Sequence, residues 1–400
     1  MKYNFDEKVN RLGTYCTQWD YIEDRFGEKD LLPFSISDTD FLCPPELLES
    51  LNYRMQHGLF GYTRWNHNDY KQAITGWYKR RFRSEIESDW IVYSPTVIYS
   101  ISKLIELLTD KGDHIVTQTP AYDAFYKLAH DNGRVLACNP LLETNGHFSI
   151  DFNDLESKLS HPKCKVLLLC SPHNPTGRVW TKDELDAMVS LCRKHSVFII
   201  SDEIHMDIIH GPNRHIPIVS SDADLNHVCI CTSASKTFNT PGLSGSYSII
   251  PNEKLREEFL VTLKNRDGLS CASVLGTIST MSAYNECGEW VDQLNEYIHA
   301  NLLTVQTFLK EHIPAAKLVM PESTYLAWID VKALPYSSEE LQDALVHHGK
   351  VAIMPGETYG PEARGYIRMN IGCPRDKVLD GLERFKRTIE FLETKKSTCN

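Results

Sequence analysis

The sequence predicts an α/β protein with a mostly parallel central sheet and helices on both of its faces. Three observations carry that prediction. Short apolar runs recur along the first 235 residues, the clearest being Val166-Leu167-Leu168-Leu169, Val197-Phe198-Ile199-Ile200 and Val228-Cys229-Ile230-Cys231. Strands that are apolar on both sides belong in the middle of a sheet covered on both faces. Between the runs lie segments with helical signals, such as Thr181 with Glu184 three residues on, the pattern of a capping box. Finally, polar residues cluster just after the strands, where open α/β sheets bind their ligands.

In chain order, Gly112 to Thr117 reads as a turn and a strand that ends at Thr119-Pro120, followed by a helix over 121–131 and a strand over 134–138. A short helix over 152–159 precedes the strand 165–170, and the Thr181 helix runs to about Lys194. After Gly288 the texture changes to a long helix over 290–311, a strand over 325–330, a helix over 338–348, a strand over 365–370 and a closing amphipathic helix over 377–395. This pattern predicts a large domain over 46–287 and a smaller α+β domain over 288–400. The first 45 residues, rich in proline and aromatics, are too irregular to stand alone and are expected to pack on both.

Composition narrows the function classes. The net charge of −11, from 42 basic and 53 acidic residues, argues against a nucleic-acid binder or a ligand of anionic membranes. No stretch approaches the roughly 20 apolar residues that span a bilayer. The start, Met1-Lys2-Tyr3-Asn4-Phe5-Asp6, lacks the apolar core of a signal peptide, so the cytoplasm is the expected compartment. Of the 12 cysteines, Cys164, Cys170, Cys192, Cys229 and Cys231 sit in or beside apolar runs and none forms a CxxC pair. They read as buried thiols rather than a disulfide framework or a metal site. The spacing of His205 and His210 does not match the two-histidine zinc helix, and no metal is expected.

The strand ends carry the chemistry. Ser171-Pro172-His173-Asn174-Pro175-Thr176-Gly177 follows the first of the three long runs, Ser201-Asp202-Glu203-Ile204-His205 the second, and Thr232-Ser233-Ala234-Ser235-Lys236 the third. Each piece alone is commonplace: Asn-Pro-x-Gly is a good turn, an Asp after a strand is often a cap, and Ser-x-Ser-Lys is a frequent accident. Together they bring an amide, a carboxylate, hydroxyls and a lysine to one rim.

Asn174-Pro175-Thr176-Gly177, Asp202-Glu203, Ser233-x-Ser235-Lys236 with Pro241-Gly242-Leu243, and Arg368-Met369-Asn370 resemble the aspartate-aminotransferase-fold pyridoxal-phosphate enzymes (fold type I, class I/II) over nearly the whole chain. The resemblance implies that Lys236 holds pyridoxal 5'-phosphate as an imine and later shuttles the α-proton of the substrate. It places Asp202 on the pyridine nitrogen, Asn174 on the phenolate oxygen, Tyr122 on the ring face and Arg368 on the α-carboxylate of an amino-acid substrate. The phosphate would meet the backbone of Val97 and Ile98 at a helix start, with hydroxyls from Ser233 and Ser235. Two residues depart from the family pattern: Thr96 stands where glycine is usual, and Ser244 where aminotransferases commonly place a phosphate-binding arginine.

Within the family, Asp202-Glu203-Ile204-His205-Met206-Asp207, Ile36-Ser37-Asp38-Thr39-Asp40-Phe41, Phe60-Gly61-Tyr62, Ser323-Thr324-Tyr325-Leu326-Ala327-Trp328 and Gly372-Cys373-Pro374-Arg375 resemble the bacterial cystathionine β-lyase (cysteine-S-conjugate β-lyase) group that includes the maltose-regulon modulator. That resemblance implies carbon–sulfur cleavage to a thiol, pyruvate and ammonia. It also implies a homodimer in which Tyr62 reaches the cofactor phosphate and substrate of the other subunit, and it puts His205 in the cofactor wall. Two alternatives stay open: amino-acid transamination, which no single residue forbids, and a regulatory role exercised by binding another protein, with lyase activity secondary.

Overall fold

Seven strands make the larger sheet: β1 (Ile91–Ser94), β2 (His114–Thr119), β3 (Val135–Pro140), β4 (Cys164–Cys170), β5 (Phe198–Asp202), β6 (Val228–Ser233) and β7 (Ser246–Ile249). The computed structural model, which describes residues 2–220 and 225–398, orders them β1-β7-β6-β5-β4-β2-β3. Every pairing is parallel except those of β7, which runs antiparallel between β1 and β6. The mostly parallel α/β sheet expected from the apolar runs is therefore present. All five residues of β5 and all six of β6 are buried, as strands covered on both faces must be.

The local signals act where the sequence places them. Thr181 caps the helix Lys182–Lys194, accepting from the Glu184 N–H while the Glu184 carboxylate accepts from the Thr181 N–H. The helix Val97–Leu108 buries Val97, Ile101, Leu104 and Ile105 along one stripe and packs across β5, β6 and β7. The helix expected from Ala121 begins two residues later, at Asp123, since Tyr122 has the extended ψ of 128° and serves as its cap, and the Ala121 N–H before it is bound to the Tyr359 carbonyl. The helix expected over 338–348 is α-helical over Ser338–Ala344 and finishes in a wider π turn, Leu345–Gly349. Strands β1 and β7 carry no long apolar run, and neither was evident in the sequence.

A second sheet lies toward the carboxyl end: β8 (Lys317–Leu318), β9 (Leu326–Asp330), β10 (Met354–Pro355) and β11 (Tyr366–Asn370), ordered β8-β9-β11-β10 and antiparallel throughout. It is flanked by the helices Gly288–His312 and Arg375–Thr398, which pack on each other. No helix among the described residues is long and apolar enough to cross a membrane.

Two features tie the sheets together. The first is the extended segment from Ser35 to Phe41. Asn370, at the end of β11, donates to the Ile36 and Asp38 carbonyls, while Asn239 donates to the carbonyls of Thr39 and Phe41 at 2.9 Å each. Arg11 anchors the same segment through Asp38 at 2.7 Å and Asp40 at 2.8 Å. The second is Arg178, whose buried guanidinium pairs with Glu184 at 3.0 Å and Glu322 at 2.9 Å and also donates to the Phe148 carbonyl. Beside it Gly177 has φ +71°, and a Cβ there would come within 2.5 Å of Pro321. The chain after β4 thus lies directly against the segment that leads into β9.

Removing one member of a buried ion network strands its partners without compensation. Arg178→Ala is expected to lower the unfolding free energy by about 3 kcal/mol, seen as a lower urea midpoint. A midpoint equal to that of the unaltered protein would show that the network does not brace the fold.

Candidate active site

The register of the sheet sets the site. Cys170, Asp202 and Cys231 are aligned Cα partners across β4, β5 and β6, so the three chains leave the sheet side by side at their carboxyl ends. From there the first leads to Asn174, the second ends on the Asp202 carboxylate, and the third reaches Lys236. Because β7 runs the other way, its start at Ser246 meets Ser233 on one side and Ser94 on the other. The end of β1 therefore opens onto the same rim, and Thr96 caps the helix Val97–Leu108 there by accepting from the Tyr99 N–H at 3.1 Å.

A cavity of about 240 Å³ occupies this rim. Of the residues singled out in the sequence, Lys236, Asn174, Asp202, Tyr122, Ser233, Ser235, Val97, Ile98 and His205 all line it. Arg368 stands behind it, projecting from β11. It donates to the Asn174 side-chain oxygen at 3.1 Å and to the Ser35 carbonyl at 2.8 Å, with its guanidinium carbon 4.5 Å from the ring centre of Tyr359. Tyr62 is not among the lining residues; its side chain is 99% exposed, on a face that this chain leaves uncovered.

Burial sets the protonation of the central groups. The Lys236 amine donates to the Ser37 carbonyl, and desolvation brings its pKa down to about 8; Asp38 and Asp202 oppose that shift and Arg368 reinforces it. Desolvation pushes Asp202 up to about 7, against the pull of the Ile204 N–H and the Lys236 charge. His205 is pressed down to about 3 by burial and by the charges of Lys236 and Arg368, so its imidazole is neutral at physiological pH. Tyr122 is held up to about 12, chiefly by burial, and stays a phenol.

Ser37 and Tyr325 fall within motifs quoted above, which assign them no role, and Gly245 falls in none. Ser37 acts through its backbone carbonyl, which also accepts from Tyr325 at 2.9 Å, and a carbonyl leaves no mark on residue type. The Tyr325 ring lies edge-on to His205 at 6.0 Å. Gly245 joins the lining because its Cα packs against Gly276, where a Cβ would sit 2.7 Å from the Gly276 carbonyl oxygen. The Ser233 hydroxyl, expected at a phosphate, donates to the Gly245 carbonyl at 2.6 Å and accepts from the Ser235 N–H at 3.1 Å.

This is the architecture of a cofactor-dependent enzyme whose site lies at the strand ends of a parallel sheet. The chain belongs to the aminotransferase class I and II family, whose model matches residues 29–385. It is 46% identical over 380 residues to protein MalY of Escherichia coli, covering 95% of this chain and 97% of that one. It is 38% identical over 387 residues to cystathionine beta-lyase PatB of Bacillus subtilis, covering 96% and 100%. Among solved structures, cystalysin from Treponema denticola, which contains pyridoxal 5'-phosphate, matches with a TM-score of 0.93 at 32% identity, over 98% of this chain and 100% of that one.

The donor set here fits the same cofactor. An amine of lowered pKa, a buried carboxylate and an amide surround the cavity beside a helix start, and the buried Nε of Arg368 and Nδ1 of His205 have no hydrogen-bond partner among the described residues. Nitrogens of that kind call for a ligand or a water.

The raised pKa of Asp202 has a measurable consequence for stability. A carboxyl whose folded pKa lies above its unfolded value favours the fold at low pH, and that advantage is lost as pH rises through the folded value. In protein freed of small ligands, Asp202→Asn removes the ionisable group, so its stability relative to the parent should grow between pH 4 and about 7 and then level off. Thermal melting across that range measures the difference, and a pH-independent one would contradict the burial of this charge.

Proposed function

We propose that the protein is a pyridoxal-phosphate-dependent carbon–sulfur β-lyase, acting on L-cystathionine or related cysteine S-conjugates. The observation that carries the proposal is the convergence of Lys236, Asp202 and Asn174 on one cavity, with Arg368 bonded to Asn174. The name of the PatB relative, 38% identical along almost the whole chain, supports the choice of reaction.

When bound, pyridoxal phosphate supplies a carbonyl for the amino group of the substrate and an electron sink that acidifies its α-carbon. Arg368 takes the α-carboxylate on its planar fork and fixes the orientation of the Cα–H bond. Lys236 Nζ, neutral above about pH 8, removes the α-proton. Asp202 balances positive charge at the deep end of the cavity, and Asn174 donates an amide hydrogen while its oxygen is engaged by Arg368. The Cβ–S bond then breaks with its electron pair leaving on sulfur as a thiolate. Water hydrolyses the remaining three-carbon fragment to pyruvate and ammonia. Ser244, where an aminotransferase would carry a cation, leaves phosphate recognition to neutral donors: the start of the helix Val97–Leu108 and the Ser235 hydroxyl.

The large domain over 46–287, the small one over 288–400 and a bridging segment over 1–45 remain our working division, supported by the two separate sheets and by the contacts of residues 35–41. Buried unpaired thiols, including Cys164, Cys170 and Cys192, suit a reducing compartment, and we place the protein in the cytoplasm.

We also propose that the working unit is a homodimer with Tyr62 entering the site of the partner. Tyr53, Met55, Leu59, Phe60 and Tyr62 form an exposed apolar run along and after the helix Pro45–Gln56, and runs of that size call for a protein cover.

Two measurements test these readings. Pyruvate should appear from L-cystathionine with no keto acid added, and Lys236→Ala should abolish both that activity and the visible absorbance. An absolute need for a keto-acid acceptor would instead make the protein an aminotransferase. For the shared site, Lys236→Ala and Tyr62→Ala homodimers should each be impaired. Random exchange of their subunits should restore about a quarter of full activity, since one site of each hybrid is complete. Failure to regain activity on mixing would place Tyr62 outside the site of the partner.

A further inference from the structure

Arg25 lies on the short helix Ile22–Phe26, outside every motif considered above. Its Nη1 rests 3.7 Å from the Met354 sulfur, and among the described residues it has no carboxylate partner. Met354 is the direct cross-strand partner of Arg368. Residues opposite each other in an antiparallel pair project from the same face. Arg25 therefore covers the face of the small sheet from which the proposed carboxylate-binding arginine emerges.

Asp123 follows the cavity-lining Tyr122 and starts the helix Asp123–Asp131. The start of its helix is held against the turn Gly356–Tyr359, since the Ala121 N–H donates to the Tyr359 carbonyl at 2.8 Å and the Tyr126 hydroxyl to the same atom at 2.9 Å. The charges of Arg25 and Asp123 both reach the phenols of Tyr122 and Tyr359, in opposite senses. Among the described residues Asp123 pairs only with the exposed Lys127, at 3.7 Å, a weak surface pair that a ligand can displace.

Resting on the lyase reading, we propose that Arg25 and Asp123 form a receptor at the mouth of the site for the distal amino-acid head of the substrate, Arg25 taking its carboxylate and Asp123 its ammonium. The substrates favoured are then sulfur amino acids whose leaving thiol itself carries an amino acid, such as cystathionine, over those with a plain alkyl thiol. Arg368 and Arg25 divide two carboxylates between them, one at the reacting carbon and one at the leaving group.

The test uses holoenzyme and reads dissociation constants from the change in visible absorbance on adding amino acid, so it does not depend on product. Arg25→Gln should weaken L-cystathionine relative to S-methyl-L-cysteine by about tenfold, the loss of one charge-assisted contact. It should weaken S-(2-carboxyethyl)-L-cysteine similarly but not S-(2-aminoethyl)-L-cysteine, and Asp123→Asn should show the reverse preference. Equal changes for all four compounds, or none for cystathionine, would overturn the receptor. Pyruvate is assayed in the same samples: binding with the predicted selectivity but no pyruvate would count against the lyase reading while the receptor stands.

Discussion

Lys236 keeps its amine in a partly buried position on the cavity, where desolvation disfavours the ammonium and, among the described residues, its hydrogen-bond acceptor is the backbone carbonyl of Ser37. Much of the surrounding structure serves that arrangement. Ser37 belongs to the extended segment between the two sheets, and the carbonyls of this segment are claimed in turn by Arg368, Asn370, Tyr325, Lys236 and Asn239. These donors come from three parts of the chain: the strand β11, the residue just before β9, and the turn that follows β6. The segment therefore aligns the large sheet, which supplies Lys236, with the small sheet, which supplies Arg368. A solvated lysine, with a pKa of about 10.4, would hold a far smaller neutral fraction at the same pH and so supply less of the free base.

The charges around the cavity are sorted along its depth. Asp202 sits at the deep end with its carboxyl pushed upward by burial, ready to be drawn into full ionisation by a positive partner. Arg368 lies at the small-sheet side, braced by the Tyr359 ring and by Asn174. The end formed by Pro95 to Ile98 and Ser244 to Ser246 has no lysine or arginine in its lining and relies on backbone donors and hydroxyls. Ser244 is itself in the left-handed region at φ +55°, with its carbonyl accepting from Tyr93 at 2.8 Å, so this turn is shaped by backbone contacts rather than by a cation.

The parts of this design that were legible in the sequence are local ones. The apolar run 165–170 and the Thr181 capping box sit in the structure as the residues predict, because burial on both faces and a four-residue hydrogen-bond pattern depend on near neighbours. Lys236, Asp202 and Asn174 were legible because strand ends converge in any parallel sheet. Strand β7 was not: Ser246-Tyr247-Ser248-Ile249 is short and half polar, and it is a strand because β1 and β6 bond it on both sides. The Arg368–Asn174 bond joins residues 194 apart in sequence, and the role of Ser37 is played by an atom that every residue possesses. Arg25 escaped notice for a related reason, since its link to Arg368 runs through Met354 and the register of β10 on β11.

The account stands on the desolvation of a single amine, and that can be measured without any assumption about substrate. In protein freed of cofactor, the pH dependence of the reaction of Lys236 with acetic anhydride, followed by mass spectrometry of the peptide that contains it, reports the fraction of neutral amine. A half-maximal rate at about pH 8 is the expected result. A midpoint near the value of about 10.4 for a solvated lysine would contradict the central claim.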